Sequence, residues 1–236
     1  MIIGIVGAME AEVNGLLQML EHKSHSIKAS LTFYQGMLAG KSVIVVRCGI
    51  GKVNAAICTQ ILIDHFHVTA IINTGVAGGI SGSVEIGDIV ISSAALYHDF
   101  DTTIFGYPLG QIPQMEKSCF AADLILGECA LTASRTIVGA KRTHFGVVVS
   151  GDQFISSLER KAQIATVFQA TCAEMEGAAI AHTACLNTLP YVIIRTISDK
   201  ADNSAPDNFD AFTEKIIPSL NQIVHATVDA YSVCSS

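Results

Sequence analysis

Residues 191–202 read YVIIRTISDKAD, and no other stretch narrows the architecture as sharply. Tyr191, Val192, Ile193 and Ile194 form an apolar run of the kind that fills a fully buried parallel strand. The run then turns polar, with Arg195, Ser198, Asp199, Lys200 and Asp202 in quick succession. In an open α/β sheet, ligands bind in the crevice beyond the carboxyl ends of the strands. A buried strand ending in arginine, serine and aspartate therefore presents chemistry where such a sheet holds its ligands. The same residues also suit a plainer role, with Asp199 capping a helix and Arg195 pairing with a surface acid.

The rest of the chain repeats the strand-then-helix pattern. Residues 2–6 read as a strand broken by Gly7, and Val13, Leu16, Leu17 and Leu20 then fall on one helical face. Glu10 and Glu12 lie at the start of that helix, where its dipole favours negative charge. Residues 31–36 and 41–48 suit a hairpin around Gly40, followed by a glycine turn and a helix over 52–64. Residues 70–73 suit a short buried strand ending in TGVAGG, whose glycines let backbone approach a ligand or simply form a tight turn. Further strands are expected at 88–95 and 145–149, and helices at 158–168, 174–187 and 209–231, the last kinked or broken at Pro218. Glu174 and Glu176 then fall in a helix's first turn, and at two residues apart only one of them can face a ligand. The alternation implies a mainly parallel sheet covered by helices on both faces.

Composition excludes several function classes. No linker divides the 236 residues, so one domain over 1–236 is expected. A net charge of −7, with scattered Lys and Arg, argues against nucleic acid as a partner. No segment offers about 18 uninterrupted apolar residues, and MIIGIVGAMEAEV is no secretory signal, so a soluble cytoplasmic protein is expected. The seven cysteines show no C-x-x-C spacing, as suits free thiols of a reducing compartment. Half the residues are apolar and only 15% are charged, which suggests that a second subunit covers part of the surface. A long irregular segment, YHDFDTTIFGYPLGQIPQ, is expected to be functional or to lie at an interface. His98, Asp99 and Asp101 within it lack a further ligand cluster, so no metal is expected there.

Taken together, IGIVGAMEAEV (3–13), CGIGKVNAA (48–56), INTGVAGG (72–79), GDIVIS (87–92), VSGDQFI (149–155), EMEGAAIAH (174–182) and RTISDKAD (195–202) carry a resemblance over nearly the whole chain, as does the long segment at 97–113. These pieces resemble the nucleoside phosphorylase-like enzymes, and within them the 5′-methylthioadenosine/S-adenosylhomocysteine nucleosidases. The resemblance implies a three-layer α/β/α fold with a mixed, mainly parallel central sheet. It also implies a homodimer that hydrolyses the N9–C1′ bond of an adenine thionucleoside without cofactor or metal.

The resemblance further implies a role for each matching residue. Glu12 matches the base that takes a proton from the attacking water, and is expected to be ionised at pH 7 like an unperturbed glutamate. Asp199 matches the acid that protonates adenine N7. An ordinary aspartate, with a pKa near ~3.9, cannot hold a proton at neutral pH, so Asp199 is expected to be partly buried with Ser198 as a partner for its proton. Glu176 matches the ligand of the ribose hydroxyls, with Met175 packed on the sugar. Phe154 matches the residue stacked on adenine, Ile155 the reader of the base edge, and Gly78 a backbone contact. Met9, Ile50 and Phe209 match the lining of the sugar and 5′-thio pocket, and Arg195 an arginine near the attacking water. Phe105 and Pro113 match residues that reach into a partner's site. Position 76 departs from the pattern, being valine where many relatives carry serine, so it can act only through its backbone or bulk.

Three other readings share this fold. A purine nucleoside phosphorylase needs concentrated positive charge for phosphate. Gly87 stands where similar phosphorylases place an arginine, although Arg47 remains available to an anion. An aminodeoxyfutalosine nucleosidase would use the same acid and base with a different 5′ pocket. A non-catalytic nucleoside-binding protein would not require Glu12, Glu176 and Asp199 together.

Overall fold

The computed structural model describes residues 1–203, 205 and 215–232 in full, and residues 206–214 as helical backbone. The chain runs β1 (Ile2–Gly7), α1 (Glu10–Met19), β2 (Glu21–Lys28), β3 (Leu31–Leu38), β4 (Lys41–Arg47), α2 (Lys52–Phe66) and β5 (Ala70–Gly79). It continues through β6 (Ile89–Tyr97), a 3-10 turn at Thr103–Phe105, β7 (Phe120–Ala121), α3 (Leu124–Val138) and β8 (Thr143–Ser150). The remainder holds α4 (Leu158–Phe168), β9 (Cys172–Glu174), α5 (Gly177–Leu186), β10 (Tyr191–Asp199) and α6 (Ala205–Ala230).

All the strands join one sheet, in the order β2-β3-β4-β1-β5-β10-β6-β8-β9, with β7 added beside β6. Because β5 pairs with both β10 and β9, the strands β5, β10, β6, β8 and β9 close into a ring. The sheet is mixed. β4, β1, β5 and β10 run parallel to their neighbours in that series, as do β6, β8 and β9. Antiparallel pairing comes from the β2–β3–β4 meander, the β10–β6 contact and the short strands β7 and β9.

β10 shows why both faces of the sheet must be covered. Every residue from Tyr191 to Asp199 is buried. Ile193 belongs to the apolar cluster that includes Leu62 of α2 and Ala178 and Ala181 of α5, whereas Val192 and Ile194 belong to the one that includes Leu131 of α3 and Leu220 and Val224 of α6. Alternate residues of one strand thus enter opposite layers, and the helices divide into α2 and α5 on one face and α1, α3 and α6 on the other. α3 is capped by Asp123, which accepts from the Leu126 N–H at 2.8 Å.

Three expectations change. The TGVAGG stretch is not a turn but the second half of β5, which extends to Gly79. The segment around Glu174 is not a helix start: Glu174 ends β9, and Glu176 is the N-cap of α5. Of the kink or break expected at Pro218, the break does not occur: α6 is one helix there. No helix among the described residues is long and apolar enough to cross a membrane, and six of the cysteines, Cys48, Cys58, Cys119, Cys129, Cys172 and Cys185, are free.

Candidate active site

Parallel strands put their carboxyl ends along one edge, and a cavity of about 540 Å³ opens there. Glu12 enters it from the first turn of α1, just beyond β1, and Asp199 from the end of β10. Glu176 enters from the β9–α5 junction. The loops after β4 and β8 supply Ile50, Phe154 and Ile155, and Met9, Gly78, Met175 and Ser198 complete the wall. Glu12, Glu176 and Asp199 are 3%, 6% and 2% exposed, so three carboxyl groups distant in sequence are withdrawn from water around one space.

Each carboxyl group is held differently. Glu12 Oε2 accepts from the backbone N–H groups of Ala8 (2.7 Å) and Met9 (2.9 Å), and Oε1 accepts from Val76 N–H at 3.0 Å. Val76 thus contributes through its backbone, as its side chain requires. Burial raises the Glu12 pKa against the pull of Arg195 and these three donors. Glu12 is therefore not the unperturbed glutamate expected from sequence, because it lies under the end of β5 and not on an open helix start. Gly75 makes room for it: a Cβ there would sit 2.5 Å from Glu12 Oε1 and 2.6 Å from Arg195 Nη1.

Asp199 Oδ1 accepts from the Ala201 N–H at 2.7 Å, and Oδ2 from the Ser198 hydroxyl at 2.8 Å. Burial raises its pKa, while both hydrogen bonds lower it. Asp199 is buried as expected, with Ser198 as its partner, but Ser198 donates to the carboxylate and so favours the ionised form. Glu176 Oε1 accepts from the Gly51 N–H at 2.8 Å. Its pKa is pushed up to about 7, first by burial and then by the neighbouring Glu174.

A phosphorylase superfamily model matches residues 2–229 of the chain. A 5′-methylthioadenosine/S-adenosylhomocysteine nucleosidase of Staphylococcus saprophyticus is 47% identical over 223 residues, covering 94% of this chain and 96% of the relative. The chain belongs to this nucleosidase family. The crystal structure of the Neisseria meningitidis nucleosidase in complex with methylthio-immucillin-A is 40% identical, with a TM-score of 0.93 over 98% of this chain and 99% of that one. A futalosine hydrolase mutant of Helicobacter pylori is 31% identical, with a TM-score of 0.92 over 97% and 98%.

Not every residue matched to the nucleosidase family faces the cavity. Arg195 is fully enclosed behind the wall, where Nη2 donates to Glu174 Oε2 and, at 2.6 Å, to Asn73 Oδ1. It acts on Glu12 by charge from behind Gly75, so an arginine expected near the attacking water lies beneath the cavity wall and does not line it. Phe105 is 78% exposed and, like Pro113, does not line the cavity of its own chain. The side chain of Phe209 lies outside the described residues.

Glu174 is the part that sequence reasoning missed. It accepts from Arg195, from the Ser150 hydroxyl and from the N–H groups of Glu176 (3.1 Å) and Gly177 (2.8 Å). Its spacing from Glu176 was the available signal, since only one of the pair can point at a ligand while the other must be satisfied inside. Among the described residues no group of three His, Cys, Asp or Glu side chains is placed to hold a metal.

Proposed function

We propose that this cavity hydrolyses the N9–C1′ bond of 5′-methylthioadenosine and S-adenosylhomocysteine, releasing adenine and the thioribose product. The observation that carries the reading is the meeting of Glu12, Glu176 and Asp199 around one cavity, each with a different set of partners. The reaction passes through a ribosyl oxocarbenium ion while electron density moves onto adenine. It therefore needs a base for water, an anion near the sugar and an acid for the leaving base.

Glu12 is the base. Its Oε2 already accepts two N–H groups, whereas Oε1 accepts one, so Oε1 has the lone pair for the water's proton. A carboxylate whose pKa burial has raised is a better proton acceptor at neutral pH than an ordinary glutamate. Asp199 is the acid: burial favours its neutral form before the reaction, and Ser198 and the Ala201 N–H stabilise the anion left after proton transfer to N7. Glu176 accepts from the 2′- and 3′-hydroxyls and draws the developing positive charge toward itself. Met175 packs on the ribose, Phe154 stacks on adenine, Ile155 and Gly78 offer backbone to the substrate, and Met9 and Ile50 line the 5′-thio side.

Water is favoured over phosphate as nucleophile by charge. Among the described residues the cavity is lined by Glu12, Glu174, Glu176 and Asp199, with no Lys or Arg. A phosphate dianion there would meet acidic side chains and no lining cation to offset its charge. Near Gly87 the Arg142 guanidinium donates to the Gly87 carbonyl at 2.6 Å, but neither residue lines the cavity.

The chain is read further as a single cytoplasmic domain that works as a homodimer. Exposed Val53 and Ile57 share one side of α2, and Ile104 and Phe105 project from the 3-10 turn. A second copy placed on these residues would carry the partner's Phe105 and the partner's Pro113 toward this cavity. The deciding experiment is chromatographic detection of adenine from each nucleoside, with and without phosphate, for wild type, Glu12→Gln and Asp199→Asn. Phosphate-independent release that falls by about 10²–10⁴ in both variants supports the reading. Strict phosphate dependence selects a phosphorylase, and turnover of 6-amino-6-deoxyfutalosine alone selects the other hydrolase.

A further inference from the structure

One carboxylate that never reaches the cavity joins two of its walls. Asp99 follows β6, and its Oδ2 accepts from Lys52 Nζ at 2.6 Å and from the Asp152 N–H at 2.9 Å. Asp152 answers across the same gap, its Oδ1 accepting from the Lys52 N–H at 2.9 Å. Lys52 Nζ also lies 3.7 Å from Asp152 Oδ2 and 5.5 Å from the centre of the Tyr97 ring. Three chain segments, at 97–99, 50–52 and 151–154, are tied at one point whose central carboxylate is 11% exposed.

Both segments tied by Asp99 carry ligand-facing groups. Ile50 lines the cavity, and the Gly51 N–H holds Glu176 Oε1 at 2.8 Å. Gln153, Phe154 and Ile155 line the same cavity. The Gly51 N–H that holds the sugar carboxylate and the aromatic wall therefore sit on loops that share a fastening, beside the bonds each loop makes within its own surroundings, such as Asn54 to the Ile50 carbonyl and the Gly151 N–H to the Glu174 carbonyl. Gly51 lies against Asp152, where a Cβ at position 51 would come 3.0 Å from Asp152 Oδ1. A shift of the 151–154 loop is thereby passed to the N–H that orients Glu176.

We infer that Asp99 is a positioning residue, setting through Lys52 and Asp152 the distance between the Glu176 carboxylate and the Phe154 wall, and so the grip on the nucleoside. This rests on the reading of Glu176 as the ribose ligand. It also gives a use to an acidic segment in which, on sequence alone, no metal was expected. Charge matters to the fastening, because Lys52 is drawn in from a partly exposed position by an anion. A neutral side chain of the same shape keeps one acceptor for the Asp152 N–H but weakens the hold on Lys52.

The test is a double-mutant cycle between Asp99→Ala and Glu176→Gln, with kcat and KM for 5′-methylthioadenosine read from adenine release and folding from thermal melting. Acting through Glu176, Asp99→Ala raises KM and lowers kcat/KM at least tenfold in the wild-type background, and less than twofold in the Glu176→Gln background. Asp99→Asn recovers part of the loss. Should Asp99→Ala fail to fold, Asp99→Asn is carried through the same cycle. Equal losses in both backgrounds, or kinetics within twofold of wild type, overturn the inference. Full activity of Glu176→Gln by itself overturns instead the reading of Glu176, a separate outcome.

Discussion

The Ser198 hydroxyl donates to Asp199 Oδ2 at 2.8 Å, and so stabilises the anion of the residue assigned as the acid. Burial and this hydrogen bond act on Asp199 in opposite senses. Removing the hydroxyl has a divided outcome. In Ser198→Ala the Asp199 pKa rises further, so the protonated enzyme persists to higher pH and the alkaline limb of the kcat profile moves up. At the plateau kcat falls about tenfold to a hundredfold, because the carboxylate formed on proton transfer loses a hydrogen bond worth about 1.5–3 kcal/mol to a charged group. A full pH–rate profile checks both parts. A limb that moves down would mean that Ser198 holds the proton, not the anion.

Gly75 separates the proposed base from the arginine behind it. An added methyl would lie 2.5 Å from Glu12 Oε1 and 2.6 Å from Arg195 Nη1, inside contact distance of two charged groups held by other bonds. Gly75→Ala is expected to lose about 1–3 kcal/mol of stability through overpacking and to lower kcat more than KM, because Glu12 turns away from the water. Gly82→Ala, where a Cβ meets nothing within 4 Å, serves as the control. Melting temperatures and steady-state kinetics of the pair separate the two expectations.

How much of this could be read before the fold was known differs from element to element. The 191–202 run shows its place in the sheet because a central parallel strand must be apolar on both faces, and nothing else in the chain satisfies Val192 and Ile193 at once. β2 was invisible because EHKSHSIK buries almost nothing: among the described residues it pairs with β3 alone, at the edge of the sheet. In TGVAGG the glycines suggested a turn, yet they are there so that side chains of other segments can pass close to a strand. The Glu174–Arg195 pair could not be read at all. It joins the end of β9 to β10 across the ring closure, and no local pattern encodes which two strands close a ring. Asp199 and Glu12 were recognisable as types of residue at types of position, whereas the sense in which burial shifts them required knowing what covers them.

The exposed face of α2 carries Val53 and Ile57 at 69% and 47% exposure, one helical turn apart. Charge placed there costs an isolated chain little and a subunit interface a great deal. Ile57→Arg is expected to give a folded monomer by sedimentation velocity. On the proposed homodimer it should also raise KM for the thionucleosides, since the partner's Phe105 would no longer reach the 5′ side. An unchanged sedimentation coefficient would rule out a dimer contact through this face of α2.

Glu176, the proposed ribose ligand, also bears on stability. Its pKa rises from 4.5 in the unfolded chain to about 7 in the fold, chiefly through burial and then through Glu174. A group with a raised folded pKa contributes its full stability below the unfolded value and loses it as pH rises through the folded one. The window is therefore about pH 4.5 to 7, above which the fold carries a buried anion. Glu176→Gln cannot ionise and still offers an oxygen to the Gly51 N–H. It should match wild type in stability near pH 4.5 and exceed it above pH 7, by on the order of 1–3 kcal/mol. Denaturant titrations of both proteins at pH 5 and pH 8 measure the difference. Substrate should shrink it at pH 8, because on the proposed reading ribose hydroxyls would donate to the Glu176 anion that burial and Glu174 disfavour.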